Sequence, residues 1–300
     1  MTENKTKVVC IAGATASGKS ALALDLARRC GGEIVSADSM QIYRGMDIGT
    51  AKPCAAEQAE IKHHMIDICS VRESYSLADW IADAKPVIAD IAARGKLPII
   101  CGGTGLYIDT LISGTDLSEA AGDENIRNTL FARAEADGAE ALHRELERVD
   151  PEAAEAIHPN NVRRVIRALE IYLATGTTKS EWDRRSRERG SEYDATVYVL
   201  ERERAELYER IDRRVDKMIE AGLEAEVRTF WESGDLTPES VAGQAIGYKE
   251  FVPYFRGEAS LDEVAEAIKQ ATRHYAKRQV TWFKRNKSSI HINADNKIIL

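Results

Sequence analysis

The run Gly13-Ala14-Thr15-Ala16-Ser17-Gly18-Lys19-Ser20 satisfies G-x-x-x-x-G-K-[ST] in full. Its chemistry is phosphate binding. Glycines let backbone N–H groups turn toward an anion, and a helix starting at the end of the run adds the partial positive charge of its N-terminus. Lys19 can reach outer phosphate oxygens, and Ser20 can offer a hydroxyl to Mg²⁺. The flanking sequence supplies the context this motif needs. Lys7–Ala12 reads as a short buried strand, and Ala21–Cys30 reads as a helix closed by Gly31-Gly32. The motif specifies a phosphate-bearing ligand, not ATP. The sequence has no N-K-x-D guanine-reading motif. The nearest candidate for a Walker-B strand is Ile34-Val35-Ser36-Ala37-Asp38, at no obvious Walker-B spacing.

Asp38 is the second chemical feature. It follows the strand pattern Glu33–Ser36, which puts it at the carboxyl edge of a sheet, where open α/β folds bind ligands. A carboxylate there can take a proton, support Mg²⁺ through water, or cap a helix, and the residues alone leave the three open. Arg213 and Arg214 sit on a predicted helix. Arg213 has Glu209 four residues before it, an ordinary surface pair, whereas Arg214 has Arg210, a like charge that an outside anion would relieve. Arg163 and Arg167 are also four apart and share a helix face. His63 and Asp67 on an extended strand would be about 13 Å apart, too far to share a metal. The pair His63-His64 is therefore read as structural.

These residues need elements to position them. His64–Cys69 and Leu97–Cys101 are further candidate strands, with a helix Leu77–Arg94 between them that Pro86 should kink. Strands alternating with helices predict an α/β fold: a P-loop-type parallel sheet with helices on both faces. From Asp123 to about Arg189 the residues are almost all helix-forming. Residues 114–191 are thus expected to be an all-helical insertion into a core made of 1–113 and 192–300. Tyr193–Leu200 returns the chain to the sheet, and Glu203–Ala221 and Leu261–Arg285 follow as long helices. The 300 residues are 44% hydrophobic and 30% charged, a globular composition. The apolar runs are far shorter than the ~20 residues of a membrane span. No signal region follows Met1, and the five cysteines include no C-x-x-C pair, which fits a reducing cytoplasm. The net charge is −8, yet residues 269–287 carry +7 and residues 160–190 carry +4, so the rest carries −19. Two basic segments on an acidic chain fit local binding of a polyanion.

The stretch Asp38-Ser39-Met40-Gln41-Ile42-Tyr43-Arg44-Gly45-Met46-Asp47-Ile48-Gly49-Thr50-Ala51-Lys52-Pro53 resembles the signature of bacterial tRNA dimethylallyltransferases. So do His63-His64-Met65-Ile66-Asp67, Gly102–Tyr107, Arg167–Glu170, Gln244–Lys249 and Ala276–Phe283, spaced in order over roughly residues 7–289. Ala14 departs from the family, which usually has Pro there. Ala can adopt the φ that Pro fixes. The resemblance implies that the P-loop, residues Gly13 to Ser20, holds the diphosphate of dimethylallyl diphosphate, with Mg²⁺ on Ser20. It implies that the acceptor is the exocyclic amine of the adenosine 3′-adjacent to the anticodon. It favours Asp38 as general base, with Thr15, Lys19, Thr104 and Arg214 completing the catalytic set. It implies tRNA contacts for Asp38, Ser39, Met40, Gln41, Thr104 and for Gln244, Ala245, Ile246, Gly247, Tyr248 and Lys249. In the insertion it implies Arg127, Arg163, Arg164, Val165, Ile166 and Arg167 against the anticodon stem-loop. A monomer without membrane attachment is expected. The rival enzymes are an isopentenyltransferase of free adenine nucleotides and a small-molecule P-loop kinase. A non-catalytic tRNA-binding protein would leave the P-loop and Asp38 unexplained.

Overall fold

The structure, a computed structural model, describes residues 5–115 and 123–293. It divides into two compact units. One comprises residues up to Asp109 and from Tyr193 onward, and the other is Thr110–Glu192. Residues 116–122, just after the boundary expected near Gly114, lie outside the described residues.

The first unit is built on a six-stranded sheet. In chain order the strands are β1 (Thr6–Gly13), β2 (Glu33–Ser36), β3 (His63–His64), β4 (Pro98–Gly102), β5 (Tyr193–Glu201) and β6 (Ile290–Asn293). Their spatial order is β3-β2-β4-β1-β5-β6, and every pairing is parallel. Val8 to Ala12 of β1 are all fully buried. That is why this strand reads as an unbroken apolar run: a central parallel strand is covered on both faces. The register brings Ala12 level with Gly102 and Ser36 level with Cys101. The P-loop, Asp38 and Thr104 therefore leave the same edge of the sheet, the edge at which such folds bind ligands.

Three helices fix that edge. Lys19–Cys30 begins with no side-chain cap and no acid in its first turn, so its first N–H groups remain open to an anion. It ends with Arg28 and Arg29 in its last turn. Leu77–Ala93 starts with a Ser76/Asp79 capping box, keeps Pro86 inside it, and buries Trp80, whose Nε1–H donates to the Ser36 carbonyl at 3.2 Å. Leu261–Phe283 starts with a Ser260/Glu263 capping box and buries Val264, Ile268, Ala276, Gln279 and Phe283 along one side.

Two sequence expectations change. The strand expected over His64–Cys69 is only His63–His64, because Met65 (φ 62°) and Asp67 (φ 55°) turn the chain into the left-handed region. The 13 Å separation argued for His63 and Asp67 thus loses its extended-strand premise. The edge strand β6 was not anticipated. Most of it is exposed, with Ile290 47% accessible, so no buried-strand pattern marks it.

The second unit is helical. Its helices are Glu124–Asp137, Ala139–Val149, Pro151–Ala156, Val162–Thr175 and Lys179–Arg189, entered by the end of Gly105–Ser113. Leu130, Leu142, Leu146, Ala153, Ala154, Val165, Ile166 and Leu169 form its core.

Candidate active site

The P-loop is held from outside by arginines. Arg202 Nε donates to the Ser17 carbonyl at 2.7 Å, and Arg210 Nε donates to the Ala16 carbonyl at 2.9 Å. Ala14 is buried with Leu207, Ile211 and Ala276, so the residue that replaces the usual Pro has a packing role. Lys19 lies within the fold. Burial lowers its pKa, with Arg214 adding to the shift, while Cys101 and Asp38 oppose it. Arg214 points to the loop, its Nη1 3.4 Å from Thr15 Oγ1. Burial lowers its pKa too, against the attraction of Asp38. Arg213 is exposed and pairs with Glu209, and with Arg210, Arg214 and Lys217 it lines a second cavity beside Gly18, Lys19 and Ser20. The like charge at Arg210, read from sequence as calling for an outside anion, is directed instead at the Ala16 carbonyl.

Asp38 and Thr104 meet through close backbone contact. Gly102 sits where a Cβ would lie 2.0 Å from the Ala37 carbonyl oxygen, so only glycine allows the ends of β2 and β4 to approach this far. Thr104 N then donates to Ala37 O, and Ser39 N donates to Thr104 Oγ1 at 3.2 Å. Asp38 Oδ1 accepts from Met40 N at 2.9 Å. Thr15, Lys19, Ser20, Asp38 and Arg214 all line one cavity of about 560 Å³, with Ser39, Met40, Gln41 and the Gln244–Gly247 turn on its other walls. The Tyr275 phenol, also on the wall, is pushed up to about 12 by burial and by the charge of Asp38.

The loop after Asp38 is pinned at several points. Glu226 accepts the backbone N–H groups of Asp47, Ile48 and Gly49 at 2.7–3.0 Å, and also the Tyr248 hydroxyl at 2.5 Å. Lys52 donates to the Tyr43 carbonyl and pairs with Asp47 and Asp67. Gln41 is less free than a base-reading residue need be. Its Nε2 donates to the Thr50 and Ala51 carbonyls, and its Oε1 accepts from Ser36 Oγ. Tyr248 is fully buried and absent from the cavity wall, so its side chain supports the turn, while Gln244, Ala245, Ile246, Gly247 and Lys249 line the cavity. His64 Nε2 hydrogen-bonds the buried Glu33 carboxylate at 2.7 Å, a structural contact. His63 also lines the cavity.

In the helical unit the expected contact residues divide. Arg163 and Arg164 are exposed. Val165 and Ile166 are each 1% accessible and belong to the unit's core, so their side chains are withdrawn from the expected tRNA surface. Arg127 and Arg167 both pair with the buried Glu170, at 2.8 and 2.9 Å.

Sequence reading gave no role to Arg202, Glu226 or Gln279, and left Tyr275 between core and base-stacking. For Gln279 a signal existed, since it falls within Ala276–Phe283. Glu226 lies in none of the quoted motifs. Among the described residues no cluster of three or more His, Cys, Asp or Glu forms a metal-binding group, and no helix is long and apolar enough to cross a membrane. All five cysteines are free, with Cys10, Cys69 and Cys101 buried.

A parallel α/β sheet with a P-loop after its central strand, and a carboxylate and a threonine on the same edge, defines the P-loop fold class. The IPP transferase family model matches residues 41–286, and the chain belongs to that family. It is 51% identical over 278 residues to the tRNA dimethylallyltransferase of Geobacillus thermodenitrificans, covering 93% of this chain and 87% of that one. The solved full-length tRNA isopentenylpyrophosphate transferase of Bacillus halodurans is 44% identical, with a TM-score of 0.71 over 97% of this chain and 90% of that one. A eukaryotic dimethylallyltransferase, captured in crystallographic snapshots acting on tRNA, gives a TM-score of 0.84 at 34% identity, over 96% of this chain and 74% of that one.

Proposed function

We propose that this transferase moves the dimethylallyl group of dimethylallyl diphosphate onto the exocyclic N6 amine of the adenosine 3′-adjacent to the anticodon of a tRNA, releasing diphosphate. The observation that carries the reading is the convergence of Thr15, Lys19, Ser20, Asp38 and Arg214 on one cavity. The names of the relatives support tRNA as the acceptor.

The bond from C1 of the allyl group to the diphosphate oxygen breaks as a bond forms from the adenine N6 to C1. Negative charge grows on the leaving diphosphate, where Lys19, Arg214 and the open N–H groups of the Lys19–Cys30 helix face it. The amine is a weak nucleophile and must lose a proton, which Asp38 accepts. Leu24, Ile211, Val215, Met218 and Ile268 give the cavity apolar walls for the dimethylallyl group. Mg²⁺ suits this donor set. It binds few protein oxygens and completes its shell with water and phosphate, and the Ser20 hydroxyl and the Asp38 carboxylate line the same cavity. Ser20 would hold the ion, which would offset the charge of the diphosphate.

The segments Asp38–Gln41 and Gln244–Lys249 would read the adenine, pulled from its stack into the pocket. Arg163 and Arg164 would meet the phosphates of the anticodon stem-loop. A cytoplasmic monomer fits this role. A transferase acting on free adenine nucleotides would leave the helical unit without a task. The test is to supply labelled dimethylallyl diphosphate with tRNA, with AMP, or with ATP and candidate acceptors. Label entering tRNA supports the reading, and label entering only AMP contradicts it.

A further inference from the structure

The carboxamide of Gln279 joins the two loops that carry the hydroxyls of the site. Gln279 stands on the helix Leu261–Phe283, only 6% accessible, and both ends of its amide are used. Its Oε1 accepts from the backbone N–H of Thr15 at 2.8 Å, and its Nε2 donates to the carbonyl of Gly103 at 2.9 Å. One partner is 264 residues away and the other 176. These bonds are therefore the product of the fold, not of local turn geometry.

Two consequences follow. The Thr15 N–H is held by a side chain, which fixes the backbone that aims Thr15 Oγ1 toward Arg214. The Gly103 carbonyl is held immediately before Thr104, whose Oγ1 receives the N–H of Ser39 next to Asp38. One planar amide thus ties the P-loop backbone at Thr15 to the backbone just before Thr104; Thr15 and Gln279 line the cavity, and Thr104 is not among its lining residues. Position 103 shows how close the fit is. A Cβ there would lie 2.3 Å from Gln279 Nε2, so glycine is required for the amide to reach the carbonyl.

We propose that Gln279 is a positioning residue for the transfer step, setting the separation of Thr15 and Thr104. This rests on the transferase reading above. A shorter, charged or apolar side chain cannot make both bonds. Gln279→Met keeps the length but leaves the Thr15 N–H and the Gly103 carbonyl without partners. Gln279→Glu can still accept from Thr15 but turns an oxygen toward the Gly103 oxygen. Misplacement of about 1 Å is enough to slow a positioned reaction by roughly 10²-fold.

The experiment is single-turnover transfer from labelled dimethylallyl diphosphate to tRNA at saturating enzyme, for the unaltered chain, Gln279→Met, Gln279→Glu, Gly103→Ala and the Met/Ala double variant. The amplitude reports the folded, active fraction, and the rate constant reports the aligned chemistry. We expect the rate constant to fall by about 10–100-fold in each single variant while the affinity for dimethylallyl diphosphate changes far less. The double variant should be no slower than the slower single one, because both changes break the same bridge. A rate constant within twofold of the unaltered chain, with only the amplitude reduced, would overturn the proposal and leave Gln279 a packing residue. If Gln279→Met does not fold, Gly103→Ala carries the same comparison. No transfer by the unaltered chain would overturn the transferase reading itself, a result distinct from a normal rate in the variants.

Discussion

Asp38 accepts one backbone N–H through Oδ1 and faces Lys19 and Arg214 across the cavity. Two roles compete for its carboxylate: taking the amine proton, and supporting Mg²⁺. Asp38→Asn separates them, because the amide keeps the shape but accepts no proton at neutral pH. If Asp38 takes the proton, single-turnover transfer should fall by about 10²–10⁴-fold with near-normal substrate binding and no recovery at high Mg²⁺. Recovery with added Mg²⁺ would assign Asp38 to the metal and leave the proton to water or to the diphosphate. At this scale the sequence was legible wherever residue type carries chemistry, as in the P-loop and Asp38. It was not legible where a side chain acts through a distant backbone atom. Nothing in the local pattern of Gln279 or Glu226 announces a partner 176 to 264 residues away. Between Arg213 and Arg214, local charge spacing tilted toward Arg214, whose Nη1 comes within 3.4 Å of Thr15 Oγ1, but it missed that the neighbouring Arg210 is directed at the Ala16 carbonyl.

Among the elements, the helix Val162–Thr175 shows how a motif mixes two functions. Its Val165 and Ile166 fill the helical unit, Arg167 neutralises the buried Glu170, and Arg163 and Arg164 remain on the outside. Changing Arg163 and Arg164 together to Ala should weaken tRNA binding and flatten the dependence of log affinity on log salt by about one to two units, with the melting temperature unchanged. Arg167→Ala should instead lower the melting temperature, since Glu170 is 1% accessible and loses one of its two arginines. Binding isotherms over a salt series and thermal melts distinguish the two. An unchanged slope in the double variant would show that these arginines only coat the surface. The i,i+3 spacing within this helix already pairs Arg167 with Glu170, whereas the second partner, Arg127, depended on the packing of Glu124–Asp137 against it. The strands followed the same division. The buried β1 and β4 were plain as apolar runs and β2 as a short strand pattern, whereas the turn at Met65 and the exposed β6 had no such mark.

For the whole molecule, sequence charge overstates the free positive surface. Of the seven basic residues in 269–287, Lys269 pairs with Asp216 and Glu266, and Arg273 pairs with Asp212. Ion pairing also links the sheet to its flank. Glu33, 3% accessible at its side chain, is bonded by Arg94, Lys96 and His64. Arg94 foremost, then Lys96 and His64, hold its pKa well below the ordinary carboxylate value, against the effect of burial. A carboxylate depressed in the folded state stabilises the fold above its unfolded pKa and loses that contribution as pH falls toward the folded value. Glu33→Gln should therefore lower stability at neutral pH by about 1–3 kcal/mol, less at high salt because Arg94 and Lys96 are partly exposed. The gap in melting temperature from the unaltered chain should close as the solution is acidified below the carboxylate range. A gap that stays constant with pH would mean that the cluster contributes through packing alone.

The most direct test of the central claim is to incubate the protein with labelled dimethylallyl diphosphate, Mg²⁺ and unmodified tRNA, with ATP left out. The labelled tRNA is then digested, the modified nucleoside mapped, and the released diphosphate measured. The expected result is label on the N6 of the adenosine 3′-adjacent to the anticodon, one diphosphate for each group transferred, and no stimulation by ATP. Label at another position, a strict need for ATP, or no transfer to tRNA would contradict it.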